Sequence, residues 1–237
     1  ERGKNYAFLP VTFTSGVINS TIFPVFTKLQ DNKKKFLDNY EKIYRIVTLF
    51  IMPVMVLLFI NAEEFILLLI GKKWEAVIPF LQWFSLGGFF YLMTAGKPNL
   101  LTALGYPQYT TRFMTFQVIT KPTLIIGLVV FLKVKMDIIA IVFITYFFLL
   151  FLYASLHLSK KLNVTFLKIS LSNYRELLII VLSSIAGYIA AELIATDSLL
   201  YMLIVKITAF MTIYGVLIFF FAKEIFIDLK NIIFSKI

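Results

Sequence analysis

Lys121 is the single charge in the apolar run Phe113–Leu132, and Pro122 follows it directly. A lysine held at the centre of a bilayer costs roughly 2.5–3.5 kcal/mol on insertion scales, so its ammonium must face protein, water or an anion. Two uses fit. The cation can be structural, paired with a polar group, or it can compensate an anionic cargo such as a phosphate. Pro122 removes one backbone hydrogen bond and lets the helix bend beside that charge. A second polar pattern lies in the uncharged run Asn5–Thr27, where Thr12, Ser15 and Asn19 recur at i, i+3 and i+7 and share one helix face. Interhelical hydrogen bonding beside Gly16 and the lining of a hydrophilic cavity both suit that stripe.

Other polar residues in or beside the apolar runs have weaker claims. Lys97 and Arg112 flank one end of neighbouring runs, where they can snorkel to the interface or make a first contact with phosphate. Glu192 and Lys206 are expected to form a structural ion pair if the last two runs make a hairpin through Thr196-Asp197-Ser198. Gln82 and Gln117 are candidate cavity-lining amides. His157 is the single histidine and cysteine is absent, which excludes disulfides, cysteine nucleophiles and multi-histidine metal sites. There is no glycine-rich phosphate loop, so neither a cofactor nor a metal is expected.

The elements that position these residues are long apolar helices. Hydrophobic residues make up 60% of the 237, charged residues only 15%, and the mean hydropathy is +0.88; a soluble domain carries roughly 25% charge. Runs approaching or exceeding ~20 apolar residues, the length that spans a bilayer, predict spans at 6–27, 46–61, 77–97, 113–132, 138–158, 177–195 and 199–222. The fold class is therefore an all-α, polytopic transmembrane bundle. The net charge of +10 sits in the junctions, which suits lipid headgroups and not nucleic acid.

Most of the 23 Lys and Arg residues gather on one side, in junctions 28–45, 97–112 and 158–176 and in the tail beyond 222. The positive-inside rule assigns that side to the cytoplasm, with the C-terminus inside and Glu1 outside. An outside start without a leader is expected where an odd number of helices precedes this segment. Asp31 can cap the helix that follows it, and Asn61 with Glu64 has the spacing of a capping box. Gly71 can stop a short helix at the outer surface, with Lys72, Lys73 and Trp74 as an interfacial anchor.

Asn5-Tyr-Ala and Phe23-Pro-Val-Phe-Thr-Lys-Leu-Gln-Asp31 resemble a stretch of the Wzx-type lipid-linked oligosaccharide flippases, which serve O-antigen and exopolysaccharide assembly. Tyr44-Arg with Pro53, Ala62-Glu-Glu-Phe-Ile, Gly71-Lys-Lys-Trp74 and Leu104-Gly105 are similar too. The resemblance covers about residues 5–112 and implies membership of the superfamily that includes multidrug MATE transporters. It implies two six-helix lobes related by a pseudo-twofold plus an additional helix pair. The seven spans then look like the eighth to fourteenth helices: a C-terminal lobe over 1–158 and the helix pair with a cytoplasmic tail over 159–237. The helix carrying Thr12, Ser15 and Asn19 would border the central cavity.

The function so implied is turnover of an undecaprenyl-diphosphate-linked oligosaccharide to the outer leaflet of a bacterial cytoplasmic membrane. The partners would be that lipid, the surrounding membrane lipids and other polysaccharide assembly proteins. Lys121, Thr12, Ser15, Asn19, Lys97 and Arg112 are the candidate pathway residues. A cation-coupled multidrug antiporter is the alternative, and it usually needs a membrane-buried carboxylate. A membrane glycosyltransferase, polymerase or ligase would need catalytic carboxylates or basic clusters in sizeable outer loops, and the outer junctions are short; no enzyme activity is expected.

Overall fold

The computed structural model describes residues 26–131, 134, 136–194 and 198–224, so the stripe of Thr12, Ser15 and Asn19 lies outside the described residues. Those residues form helices α1 (Lys33–Ile60), α2 (Ala62–Phe65), α3 (Ile78–Ala95), α4 (Lys97–Ala103), α5 (Pro107–Ile126), α6 (Met136–Leu162), α7 (Phe166–Ser170), α8 (Tyr174–Ile194) and α9 (Leu199–Phe221). A π-helical turn, Ile66–Ile70, extends α2 and leads into a 3-10 turn, Lys72–Val77; a second π turn, Gly127–Phe131, extends α5. The protein is an all-α, multi-pass membrane protein. Five helical stretches are long and apolar enough to cross a bilayer: Lys33–Ile60, Lys72–Ala103, Ile138–Leu162, Tyr174–Ile194 and Leu199–Phe221. The expected span 113–132 is helical as far as Phe131 and is not among these five.

Turn chemistry sets the ends. Asn32, and not the expected Asp31, caps α1: its side-chain oxygen accepts from the Lys35 N–H at 3.0 Å. Gly105, at φ +85°, closes α4. Its N–H bonds the Thr102 carbonyl and the Tyr106 N–H bonds the Leu101 carbonyl, a pairing that requires a left-handed residue, and Pro107 then opens α5. Gly71, at φ +103°, ends the π turn as the sequence suggests. The capping box at Asn61 does not form. Asn61 Nδ2 bonds back to the Leu57 carbonyl at 2.9 Å, and the Glu64 carboxylate is engaged elsewhere.

The chain packs as two compact units. The first comprises residues 26–39 with Trp83–Leu171. Its core is aromatic: Phe113, Tyr146, Phe147, Leu150 and Ala154, with Phe90, Tyr91, Leu124 and Phe143 packed against them. Gly87 lets α3 approach α6, since a Cβ there would lie 3.3 Å from Ile144 Cγ1. The second unit comprises Tyr40–Gln82 and residues 172–224. In it α8 and α9 pack on each other and on α1, burying Leu49, Val56, Ile179, Ile180, Phe210, Tyr214 and Ile218. Bare backbone at Gly187 meets the Lys206 carbonyl, 3.2 Å from where a Cβ would stand, the small-residue contact that membrane helices use.

Candidate functional site

The first unit holds a cavity of about 530 Å³ between α3, α5 and α6, within the size range of small-ligand sites. Tyr91, Thr94 and Ala95 line it from α3; Phe113, Met114, Gln117, Val118, Lys121 and Pro122 from α5; Phe147 and Leu150 from α6. Gln117 and Lys121 are one turn apart, so both project from one face of α5. The Lys121 ammonium lies 5.5 Å from the Tyr91 ring centroid and 5.7 Å from that of Phe147, distances at which ring quadrupoles attract a cation. Two polar residues of α5, Gln117 and Lys121, thus meet the cavity. Pro122 stands in the same wall and leaves the Val118 carbonyl without its helical donor. One turn of α5 is tied to α6 by a 2.8 Å bond between the Thr120 and Tyr146 hydroxyls.

Three cations that the sequence groups together take different positions. Lys121 lines the cavity. Lys97 does not snorkel: it is 1% exposed at the start of α4, its ammonium 4.0 Å from the centroid of the Phe151 ring. Arg112 lines a separate cavity of about 430 Å³ with Phe113, Phe116, Tyr146, Leu149, Leu150 and Tyr153. Phe113 and Leu150 belong to both linings. Gln82 lines neither cavity.

The expected Glu192–Lys206 pair is corrected. Lys206 binds Glu64 Oε1 instead, and also approaches the Ile60 carbonyl at 3.4 Å. The reason is geometric: Glu192 is exposed near the end of α8, whereas Glu64 at the start of α2 is 2% exposed and requires a cation. Sequence reasoning missed this pair because its members are 142 positions apart. It also missed a second one, Arg45 to Glu176 at 2.7 Å, with Glu176 1% exposed. A signal for both was available, since Glu64 and Glu176 stand next to apolar spans, where an acid demands a partner. Among the described residues there is no group of three or more His, Cys, Asp and Glu able to hold a metal.

Comparison with known proteins adds the biological context. Residues 1–79 match the family model for polysaccharide biosynthesis proteins. The lipopolysaccharide biosynthesis protein WzxC of Escherichia coli (strain K12) is 29% identical over 126 residues, 52% of this chain and 25% of that protein. The chain is similar to the Wzx-type polysaccharide flippases. An uncharacterized membrane protein in the cps region of Klebsiella pneumoniae is 28% identical over 115 residues, 48% of this chain and 24% of that protein. This Wzx-like chain therefore spans about a quarter of the length of the curated relatives it matches. No solved structure matches it. The cavity-lining residues from Tyr91 to Leu150 lie beyond the stretch matched by the family model.

Proposed function

We propose that this chain is part of a transporter that turns an undecaprenyl-diphosphate-linked oligosaccharide from the cytoplasmic to the outer leaflet of the bacterial cytoplasmic membrane. The observation that carries the reading is the cavity holding Lys121 and Gln117. A fixed ammonium offsets the charge of a diphosphate in apolar surroundings, and the amide, the Tyr91 hydroxyl and the Thr94 hydroxyl suit a sugar. Aromatic faces at Tyr91 and Phe147 complete a wall of the kind that sugars stack on. The stripe of Thr12, Ser15 and Asn19 would add hydroxyl and amide groups to the same pathway.

The C-terminus lies in the cytoplasm in this reading, with 1–158 as the C-terminal lobe and 159–237 as an additional helix pair. The polysaccharide biosynthesis match supports the substrate class. The cation-coupled antiporter asks for a buried carboxylate available to an ion, whereas Glu64 and Glu176 each already hold a basic side chain. The protein works by binding and conformational exchange, not by catalysis.

The test is turnover of a fluorescent prenyl-diphosphate oligosaccharide in vesicles containing the full-length protein. Lys121→Ala abolishes or severely slows turnover, and Lys121→Arg, which keeps the charge, retains part of it. Turnover at the wild-type rate in Lys121→Ala, with normal folding and insertion, refutes the role of this cavity.

A further inference from the structure

The Arg112 groove has a composition different from the Lys121 cavity: one guanidinium, and otherwise aromatic and aliphatic walls. Phe116, Leu149 and Tyr153, three of those walls, are exposed on the outer face of α5 and α6. A ladder of rings runs along the same helix pair. Phe113 stacks on Tyr153 at 6.0 Å, Tyr153 lies 4.2 Å from His157, and His157 lies 5.0 Å from Tyr109. Lys161 caps the ladder, 4.0 Å from the Tyr106 ring. Arg112, His157, Lys160 and Lys161 thus gather at one end of the α5–α6 pair, and an apolar trough about 10 Å long descends from them between Tyr153 and Tyr146.

That arrangement matches an amphiphile with an anionic head and an apolar chain. Residues 83–171 carry eight Lys and Arg against Asp137 alone, a surplus of positive charge that favours anionic lipid. A guanidinium presents two parallel N–H groups that fit phosphate, and basic pockets at the membrane surface select anionic headgroups. The groove adjoins the Lys121 cavity at Phe113 and Leu150 and is otherwise lined by different residues.

We infer that the α5–α6 groove is a binding site for an anionic glycerophospholipid of the surrounding leaflet, its phosphate on Arg112 and one acyl chain along Phe116, Tyr146 and Leu149. The lipid is a resident partner, not cargo. The site depends only on this chain being a membrane protein and stands whether or not the protein flips oligosaccharides.

Native mass spectrometry of the full-length protein in detergent, titrated with phosphatidylglycerol or phosphatidylethanolamine, reads the site directly. Wild type retains phosphatidylglycerol in preference. Arg112→Gln weakens that retention by about tenfold or more, the scale of one charge-assisted hydrogen bond, and Arg112→Lys restores part of it. Lys168→Gln, which removes an equal charge from α7, leaves the preference intact. Equal retention of the two lipids by wild type, or equal losses in Arg112→Gln and Lys168→Gln, overturns the inference. Displacement of phosphatidylglycerol by sub-stoichiometric prenyl phosphate does so too, by making the groove part of the cargo path.

Discussion

Removing Lys206 should destabilise the second unit far more than removing an exposed charge does. The Glu64 side chain is 3% exposed and that of Lys206 12%. Glu64 Oε2 already has no hydrogen-bond partner among the described residues. Lys206→Met therefore strands a buried carboxylate with no compensation at either oxygen, which costs about 3–5 kcal/mol. At roughly 2–4 °C per kcal/mol for a folded unit of 150–250 residues, the midpoint of thermal unfolding in detergent falls by about 6–20 °C. Glu64→Gln costs less, about 1–3 kcal/mol, because the ammonium keeps the Ile60 carbonyl and some access to solvent. The double variant Glu64→Gln with Lys206→Met carries no buried charge and returns to within about 1–2 kcal/mol of wild type. The assay is a four-member thermal-shift cycle, with Glu192→Gln as the fifth protein. The reasoning fails if the two single effects simply add. It fails also if Glu192→Gln costs as much as Glu64→Gln, which would return Lys206 to the partner expected from hairpin geometry.

Three further substitutions test the packing of the same unit. Gly187→Ala places a methyl 3.2 Å from the Lys206 carbonyl and 3.4 Å from Phe210 Cβ, so α8 and α9 must separate and stability falls by about 1–3 kcal/mol. Gly215→Ala, with open space at its Cβ, instead gains up to about 1 kcal/mol from helix propensity; thermal shifts of equal sign for the two would refute the close contact at Gly187. Tyr214→Phe removes the hydroxyl that donates to the Leu49 carbonyl from α9. The loss is about 1–3 kcal/mol, read as faster hydrogen exchange of α1 amides near Leu49, and unchanged exchange would show that the bond does not hold α1.

The helices were legible because each apolar run is a direct record of where a chain must cross lipid. Five such runs reappear as span-length helices. For Lys121 the sequence left two uses open, a structural cation or a cation facing an anionic cargo; the structure sets it in the wall of the cavity of α3, α5 and α6. What the sequence did not disclose is partner choice across distance. Glu192 and Lys206 face each other only if a hairpin brings them level, whereas Glu64 reaches Lys206 because α2 begins beside α9, a proximity that no local pattern encodes. Lys97 illustrates the same limit. Its place at a run's end suggests an interfacial lysine, yet α4 is buried at Lys97, Pro98, Leu100, Leu101 and Ala103, and the ammonium lies on Phe151. Thr110 holds α4, its hydroxyl bonding the Pro98 carbonyl at 2.6 Å and the Thr102 hydroxyl at 2.7 Å.

Charge is handled differently along the chain, and the difference bears on function. In the second unit the deeply buried acids, Glu64 and Glu176, are each matched by a basic side chain of the same unit. Such pairs are costly to make and costlier to break, so they fix α2 and α8 in one arrangement. Residues 83–171 follow the opposite rule, with one acid against eight bases. Some of those cations rest on rings, Lys97 on Phe151 and Lys161 on Tyr106, and the basic junctions also follow the positive-inside rule. A surface that receives phosphate gains from having no carboxylate beside its cation, because an internal carboxylate would compete with the ligand for the same charge. Lys121 and Arg112, the basic residues that line the two α5 cavities, stand where the proposed transport and the proposed lipid site would each need a cation.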